Sequence, residues 1–177
     1  FELLKSTRRD TGLRQRTLYD ALEWSFDRLT DWEREAFVQA CAFQGGFLLE
    51  AAEEVIDLSA FPEAPDVLAA LQSLREKSPL RTEEGEAETR FAMYKPIHDF
   101  GENRLGKAGD PKPLYQRHCT HFVQYAETWG ERVYSADELE ALNRLEHDRA
   151  NLVAAQERAL KAGDHESAAR LAIASAE

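Results

Sequence analysis

A pair of helix-compatible stretches joined by one capping signal constrains this chain more than anything else in it. Residues 16–47 read RTLYDALEWSFDRLTDWEREAFVQACAFQGGF. In residues 17–29, Leu18, Ala21, Leu22, Ser25, Phe26 and Leu29 recur at the spacing that gives a helix one apolar face. Thr30-Asp31-Trp32-Glu33 then has capping-box form: the Thr30 hydroxyl can accept an amide of the new helix while Glu33 reaches back to the Thr30 amide. The second helix carries Ala36, Phe37, Ala40 and Cys41 on one face. Gly45-Gly46 are expected to end it, because glycine takes a positive φ without a Cβ penalty. Trp24, Phe26, Phe37, Phe43 and Phe47 read as core.

The next sixty residues narrow the fold. A short third helix is expected over 48–57 (Leu49, Ala52, Val55, Ile56) and a proline-bearing loop over 57–65. A fourth helix spans about 64–77 with Val67, Leu68, Leu71 and Leu74 as its buried stripe, and Pro79 breaks it. Leu80-Arg81-Thr82 and the run from Thr89 to Tyr94 flank a polar turn centred on Gly85, which reads as a β-hairpin. Pro96 opens a helix over about 97–107. Helices, one hairpin and a closing helix in this order spell a winged helix-turn-helix.

Residues 108–113, with Gly109, Pro111 and Pro113, form the clearest boundary, and everything beyond is helical. Leu114, His118, Phe122, Tyr125 and Trp129 line one face of a helix ending near Arg132. A single long helix is expected over about 136–162 (Leu139, Leu142, Leu145, Leu152, Leu160), stopped by Gly163, with a last helix after Asp164. Antiparallel helix pairs with short turns resemble the start of a tetratricopeptide-like array. The fold class is therefore mainly α: a winged helix-turn-helix over residues 17–109, then an α-helical, tetratricopeptide-like bundle over 110–177, with 1–16 as an N-terminal linker.

Composition excludes several functions. Two cysteines, Cys41 and Cys119, in 177 residues make no disulfide framework and fit a reducing cytoplasm. No apolar run approaches the ~20 residues of a membrane span. A net charge of −11 repels phosphate backbones and anionic lipid. Phe1 is no initiator methionine and residues 165–177 read as an uncapped helix, so an excised piece of a longer protein is expected.

Candidate chemistry is sparse. No G-x-x-x-x-G-K-[ST] loop is present to cradle phosphates. His118, Cys119 and His121 invite a metal reading, but only 118 and 121 share a helix face and no further cluster completes a shell, so no metal site is assigned. Consecutive Glu146, His147 and Asp148 diverge around a helix and read as a solvated face. A DNA-reading winged helix needs a basic recognition face and a basic wing. The fourth helix instead offers Asp66, Ala69, Gln72, Ser73, Glu76 and Lys77, and the wing carries four carboxylates in the six residues Glu83-Glu84-Gly85-Glu86-Ala87-Glu88. Direct nucleic-acid binding is disfavoured on that ground, and a DNA-binding winged-helix transcriptional regulator stays as the alternative.

Three blocks carry a family resemblance. Arg14, Thr17, Leu18, Ala21, Trp24, Ser25, Phe26 and Leu29 fit R-x-x-T-L-x-x-A-x-x-W-S-[YF]-x-x-L. Phe43, Gly45, Gly46, Phe47, Glu50, Ala51 and Ala52 fit the next block, and Leu71, Leu74, Lys77, Ser78, Pro79 and Leu80 a third. Arg144-Leu145-Glu146 and Asn151-Leu152 with Ala154-Ala155 look like the start of a helical sensor region. Together they resemble the STAND signal-transduction ATPases, specifically the NB-ARC-type bacterial regulators. The resemblance implies a nucleotide-binding domain before residue 1, on which the winged helix packs, and ATP or ADP with Mg²⁺ as cofactors of the whole protein but none in this segment. It also implies a nucleotide-sensing position at the end of the hairpin. That position is Met93-Tyr94-Lys95, where tyrosine and lysine replace the histidine and acid of a Met-His-Asp triplet. Arg14 and Arg16 are candidate interdomain contacts. The expected role is that of a non-catalytic regulatory module, transmitting a nucleotide- or ligand-dependent switch through contacts with its own upstream domain and with a protein or small-ligand partner on the helical region.

Overall fold

The computed structural model describes residues 17–84 and 88–174. It is mainly helical with one hairpin. α1 spans residues 17–27. α2 (Asp31–Ala40), α3 (Leu49–Val55) and α4 (Val67–Glu76) precede the antiparallel strands β1 (Arg81–Glu84) and β2 (Thr89–Ala92). α5 (Lys95–Ala108) closes this half, and α6 (Lys112–Gly130), α7 (Glu138–His147), α8 (Arg149–Ala162) and α9 (His165–Ala174) form the helical tail.

The capping box forms as the sequence predicts, with the Thr30 amide donating to Glu33 Oε2 at 2.8 Å. Glu33 is buried, and its other oxygen accepts from Ser73 Oγ and Lys77 Nζ, each at 2.5 Å. Burial alone would raise the pKa of Glu33; the bonds from Lys77, Ser73 and Thr30 outweigh it and bring the group from 4.5 down to about 2. One carboxylate thus caps α2 and bolts α4 to it. Ser73, expected on an exposed recognition face, is turned half inward by this bond, and Leu68, expected in the core, is 38% exposed.

α2 ends at Ala40, before the two glycines, and turn-type bonds carry the chain through Phe43. Gly45 (φ +81) and Gly46 (φ +116) then bend it into the Phe47 bridge rather than capping the helix. Phe47 pairs with Phe91 through two backbone bonds of 2.9 and 2.8 Å, adding a one-residue third strand beside the hairpin. In the hairpin itself Arg81 faces Ala92 and Glu84 faces Thr89. β2 stops at Ala92, so Met93 and Tyr94 lie beyond the strand that the sequence assigns them to, with Tyr94 as N-cap of α5.

The expected single helix over 136–162 is two helices. Asp148 (φ −99, ψ 7) is the shared cap between α7 and α8. The break splits the leucine stripe: Leu139, Leu142 and Leu160 are exposed, Leu152 is buried and Leu145 partly so, and Ala141, Asn151, Ala155 and Ala159 fill the buried face beside them. Trp24, also expected inside, is 63% exposed, its ring under the Arg28 guanidinium at 4.7 Å.

Most of the buried apolar residues make one cluster that runs from Leu29 to Ala174. Phe43 stacks on Phe47 at 4.2 Å and meets Phe122 of α6 edge-on at 6.3 Å, so the aromatic centre of the winged helix continues into the tail.

Candidate functional site at the hairpin end and the wing–tail joint

The three residues at the hairpin end point in different directions. Met93 is half-buried, its Sδ 3.7 Å from Cys41 Sγ. Cys41 is buried and its thiol donates to Phe37 O at 3.2 Å; burial, then the Glu102 charge, push that thiol far above its ordinary pKa, which leaves it unreactive. Tyr94 is 61% exposed with the Arg81 guanidinium 4.7 Å from its ring centroid. Lys95 opens α5 on the surface, and its Nζ donates to Asp99 Oδ1, one turn on, at 2.9 Å. That bond raises the Lys95 pKa and engages its charge. Tyr94 thus lies against Arg81 and Lys95 against Asp99, both exposed, whereas Met93 packs on the core. Arg14 and Arg16 lie outside the described residues.

α5 also carries the tightest group of potential ligand atoms among the described residues. His98, Asp99 and Glu102 offer atoms within 4.8 Å of one another, a feature the sequence reading passes over. Each is otherwise engaged. His98 Nε2 lies 2.8 Å from Phe43 O, Asp99 binds Lys95, and Glu102 accepts from Gln44 Nε2 at 3.0 Å.

His118, expected on one face of the first tail helix with Leu114 and Phe122, packs inside the molecule. It is fully buried between Phe43 (ring centroids 5.5 Å) and Phe122 (4.7 Å), and neither ring nitrogen has a hydrogen-bond partner. Burial, followed by the Arg158 and His121 charges, holds its pKa well below 6.5. His121 is half-buried against Phe122 and Tyr125. A neutral imidazole held between aromatic rings packs much as an aromatic side chain does.

The wing does not stand free. Arg144 of α7 holds Glu88 with both Nη atoms (2.8 and 3.1 Å), donates from Nε to Glu140 at 3.0 Å, and lies over the Trp129 ring at 4.4 Å. Glu83 pairs with Arg81 at 2.6 Å. Deeper in, Arg90 of β2 makes a two-pronged pair with Asp148: Nη1 to Oδ2 at 2.9 Å and Nη2 to Oδ1 at 2.8 Å. Both side chains are withdrawn from solvent, at 13% and 4% exposure. Desolvation opposes the Arg90 charge, but the bonds and charge of Asp148 outweigh it and raise its pKa. Arg90 Nη2 also donates to Gly46 O at 3.2 Å. Asn151, fully buried, completes the cluster: its Nδ2 donates to Gly46 O (2.8 Å) and Asp148 Oδ1 (2.9 Å), and its Oδ1 accepts the Gln44 amide at 2.6 Å. Of the three residues expected on a solvated face, Glu146 and His147 are on one and Asp148 is not: the helix break turns it inward to Arg90.

A second bolt ties α6 to the winged helix. Arg117 donates to Val55 O at 2.8 Å and to Gln39 Oε1 at 3.0 Å, and Gln39 itself bridges both ways to the Asp57 backbone. Sequence reasoning misses Arg90, Arg117, Asp148 and Asn151. One clue was available: Asn151 is a polar residue in the apolar stripe Leu152, Ala155, Ala159.

No protein-family model matches the chain, and no solved structure does so significantly. Curated relatives do. The chain is 30% identical over 129 residues, 71% of its length, to proteins named "Putative HTH-type transcriptional regulator" from Mycobacterium bovis and from two strains of Mycobacterium tuberculosis. It spans 14% of the length of each of these relatives, a small part of a much longer polypeptide. Among the described residues no helix is long and apolar enough to cross a membrane. The chain is thus similar to a segment of large helix-turn-helix-type regulators.

Proposed function

We propose that this chain is a non-catalytic, cytoplasmic regulatory segment of a large transcriptional regulator, built as a winged helix joined to the start of a helical sensor. The observation that carries the reading is the joint itself. Polar bolts at Arg90–Asp148 and Arg117–Gln39 and a shared aromatic centre tie the winged helix to its tail. Such a joint suits transmission of a signal better than turnover of a substrate. The extended form of the proposal is STAND-type: a nucleotide-binding domain carrying ATP or ADP and Mg²⁺ precedes the chain and docks on the winged helix. In the whole protein, Arg14→Ala with Arg16→Ala should speed nucleotide exchange and change oligomer size; an unchanged exchange rate and size would remove these arginines from the interface.

A second reading has specific support in the relatives' names: the winged helix itself binds DNA. Charge speaks against it for this segment, because Glu83 and Glu88 line the wing and α4 exposes Asp66 and Glu76 beside Arg75 and Lys77. On our reading, DNA binding by the whole regulator resides elsewhere in its length. Fluorescence anisotropy of this chain with duplex DNA across a salt series separates the two. Binding that weakens steeply with salt would favour the DNA reading over ours.

A further inference from the structure

The wing is gripped twice by the corner between α7 and α8, once on the surface and once in the interior. The outer grip is Arg144 on Glu88, backed by Glu140 and the Trp129 face. The inner grip is Arg90 on Asp148, with Asn151 and Arg90 both donating to Gly46 O. These few residues join three pieces of chain that are far apart in sequence: the Gln44–Gly46 turn, strand β2 and the start of α8. Space there is tight as well. A Cβ on Gly45 would sit 3.3 Å from Ala150 Cβ, and one on Gly46 3.1 Å from Phe91 O, so the turn is pinched between the wing and α8.

We propose that the α7–α8 corner is a latch, through which the wing and the N-terminal part of α8 open and close as one cooperative unit, separately from the α2–α4 core. Three features argue for a latch rather than ordinary packing. Its interior is polar and fully satisfied, and such networks confer a unique register more than they confer stability. The apolar anchors on α7 are few: Ala141 is buried, Leu145 is partly so, and Leu139 and Leu142 face out. Finally, α6 is held independently, by Arg117 and by Phe122 against Phe43, so the corner can release without detaching the whole tail. An event on the tail that moves α7 would then be felt at the wing, and the converse.

Hydrogen exchange on the intact chain tests this segment by segment. Asp148→Asn should speed exchange of α7, the first turns of α8 and β2 together, by at least about tenfold, while α2 and α4 keep their protection. The outer-grip variant Arg144→Gln, which leaves the Arg90–Asp148 pair intact, should speed α7 alone by a few-fold, and high salt should reproduce that effect in the unaltered chain. The double variant Arg90→Met, Asp148→Leu should restore protection in part, because no unpaired charge stays buried. Protection lost evenly from α2, α4 and the tail in Asp148→Asn would reduce the cluster to general packing. Unchanged exchange at β2 would show that corner and wing are uncoupled. Either result overturns the latch.

Discussion

At the residue scale the informative side chains are polar groups on buried faces, and His118 is the clearest. Its two ring nitrogens have no partners and the Arg158 charge is close enough to oppose protonation. The unfolded chain, by contrast, takes up a proton at this histidine near pH 6.5. Below that pH the unfolded state therefore binds more protons than the folded one, and stability falls as pH drops, by up to about 1.4 kcal/mol per pH unit for one such group. His121, whose pKa burial also lowers, adds to the same trend. Replacing His118 with Leu gives up no hydrogen bond and roughly conserves volume, so its cost at pH 7.5 should stay below about 1.5 kcal/mol. The gain should appear in acid: urea midpoints measured from pH 7.5 to 5 should fall less in His118→Leu than in the unaltered chain. Parallel pH profiles would mean that His118 is not a neutral, caged group. The burial of His118 was legible in the sequence, because it shares a helix face with Leu114, Phe122 and Tyr125. The sequence did not foretell Asp148, whose partner Arg90 is 58 residues away. Its neighbours Glu146 and His147 are solvent-facing, as the same reasoning expects.

Elements were legible where local signals are self-sufficient. The Thr30–Glu33 box, the proline at the start of α5 and the Gly163 stop all act within one helical turn, and each forms. The break between α7 and α8 has no glycine or proline to announce it, and the backbone bonds Asp148 N to Arg144 O and Leu152 N to Asp148 O run on both sides of it. The partner that holds Asp148 inward is tertiary, Arg90 of β2, with Asn151 one turn on adding a local bond. A similar long-range fit governs α5 against α2. Gly101 is buried inside α5, and a Cβ there would overlap Cys41 Sγ and lie 3.1 Å from Phe37 Cζ. Glycine costs a helix interior about 1 kcal/mol relative to alanine, so only close approach justifies it here. Gly101→Ala should therefore destabilise by about 1–3 kcal/mol against its own helix propensity, an overpacking cost. Cys41→Ala added to it should recover part of the loss by removing the sulfur, leaving the Phe37 edge as the residual clash. Chemical denaturation of the two variants and of Cys41→Ala alone forms a cycle, and additive costs would show that the contact between α2 and α5 is not the cause.

For the whole molecule the central question is how far the two halves depend on each other. The proline- and glycine-bearing stretch at 108–113 reads as a boundary, yet the apolar cluster crosses it without interruption. Phe43 meets His118 and Phe122, Arg117 reaches Val55 and Gln39, and Asn151 holds the Gly46 carbonyl. Composition and periodicity carry no trace of these meetings, because each joins side chains that are neighbours only after both halves have folded. The dependence has a measurable consequence. Removing residues 110–177 uncovers the faces of α3 and of the Phe43–Phe47 stack, and strips Gln39 and Gly46 of partners they have in the chain. A polypeptide of residues 1–109 should consequently bind a hydrophobic dye and melt well below the intact chain, with a broadened transition. The intact chain should melt in one step, seen alike by far-UV and near-UV circular dichroism. Arg117→Ala in the intact chain should lower that single midpoint without splitting it, since it removes one bolt while the aromatic contact and the corner of α7 and α8 remain. A shortened chain that melts sharply at the temperature of the intact one, with no dye bound, would mean that the winged helix is complete by itself and that the tail only rests on it. The coupling on which the proposed signalling role depends would then have to come from outside this segment.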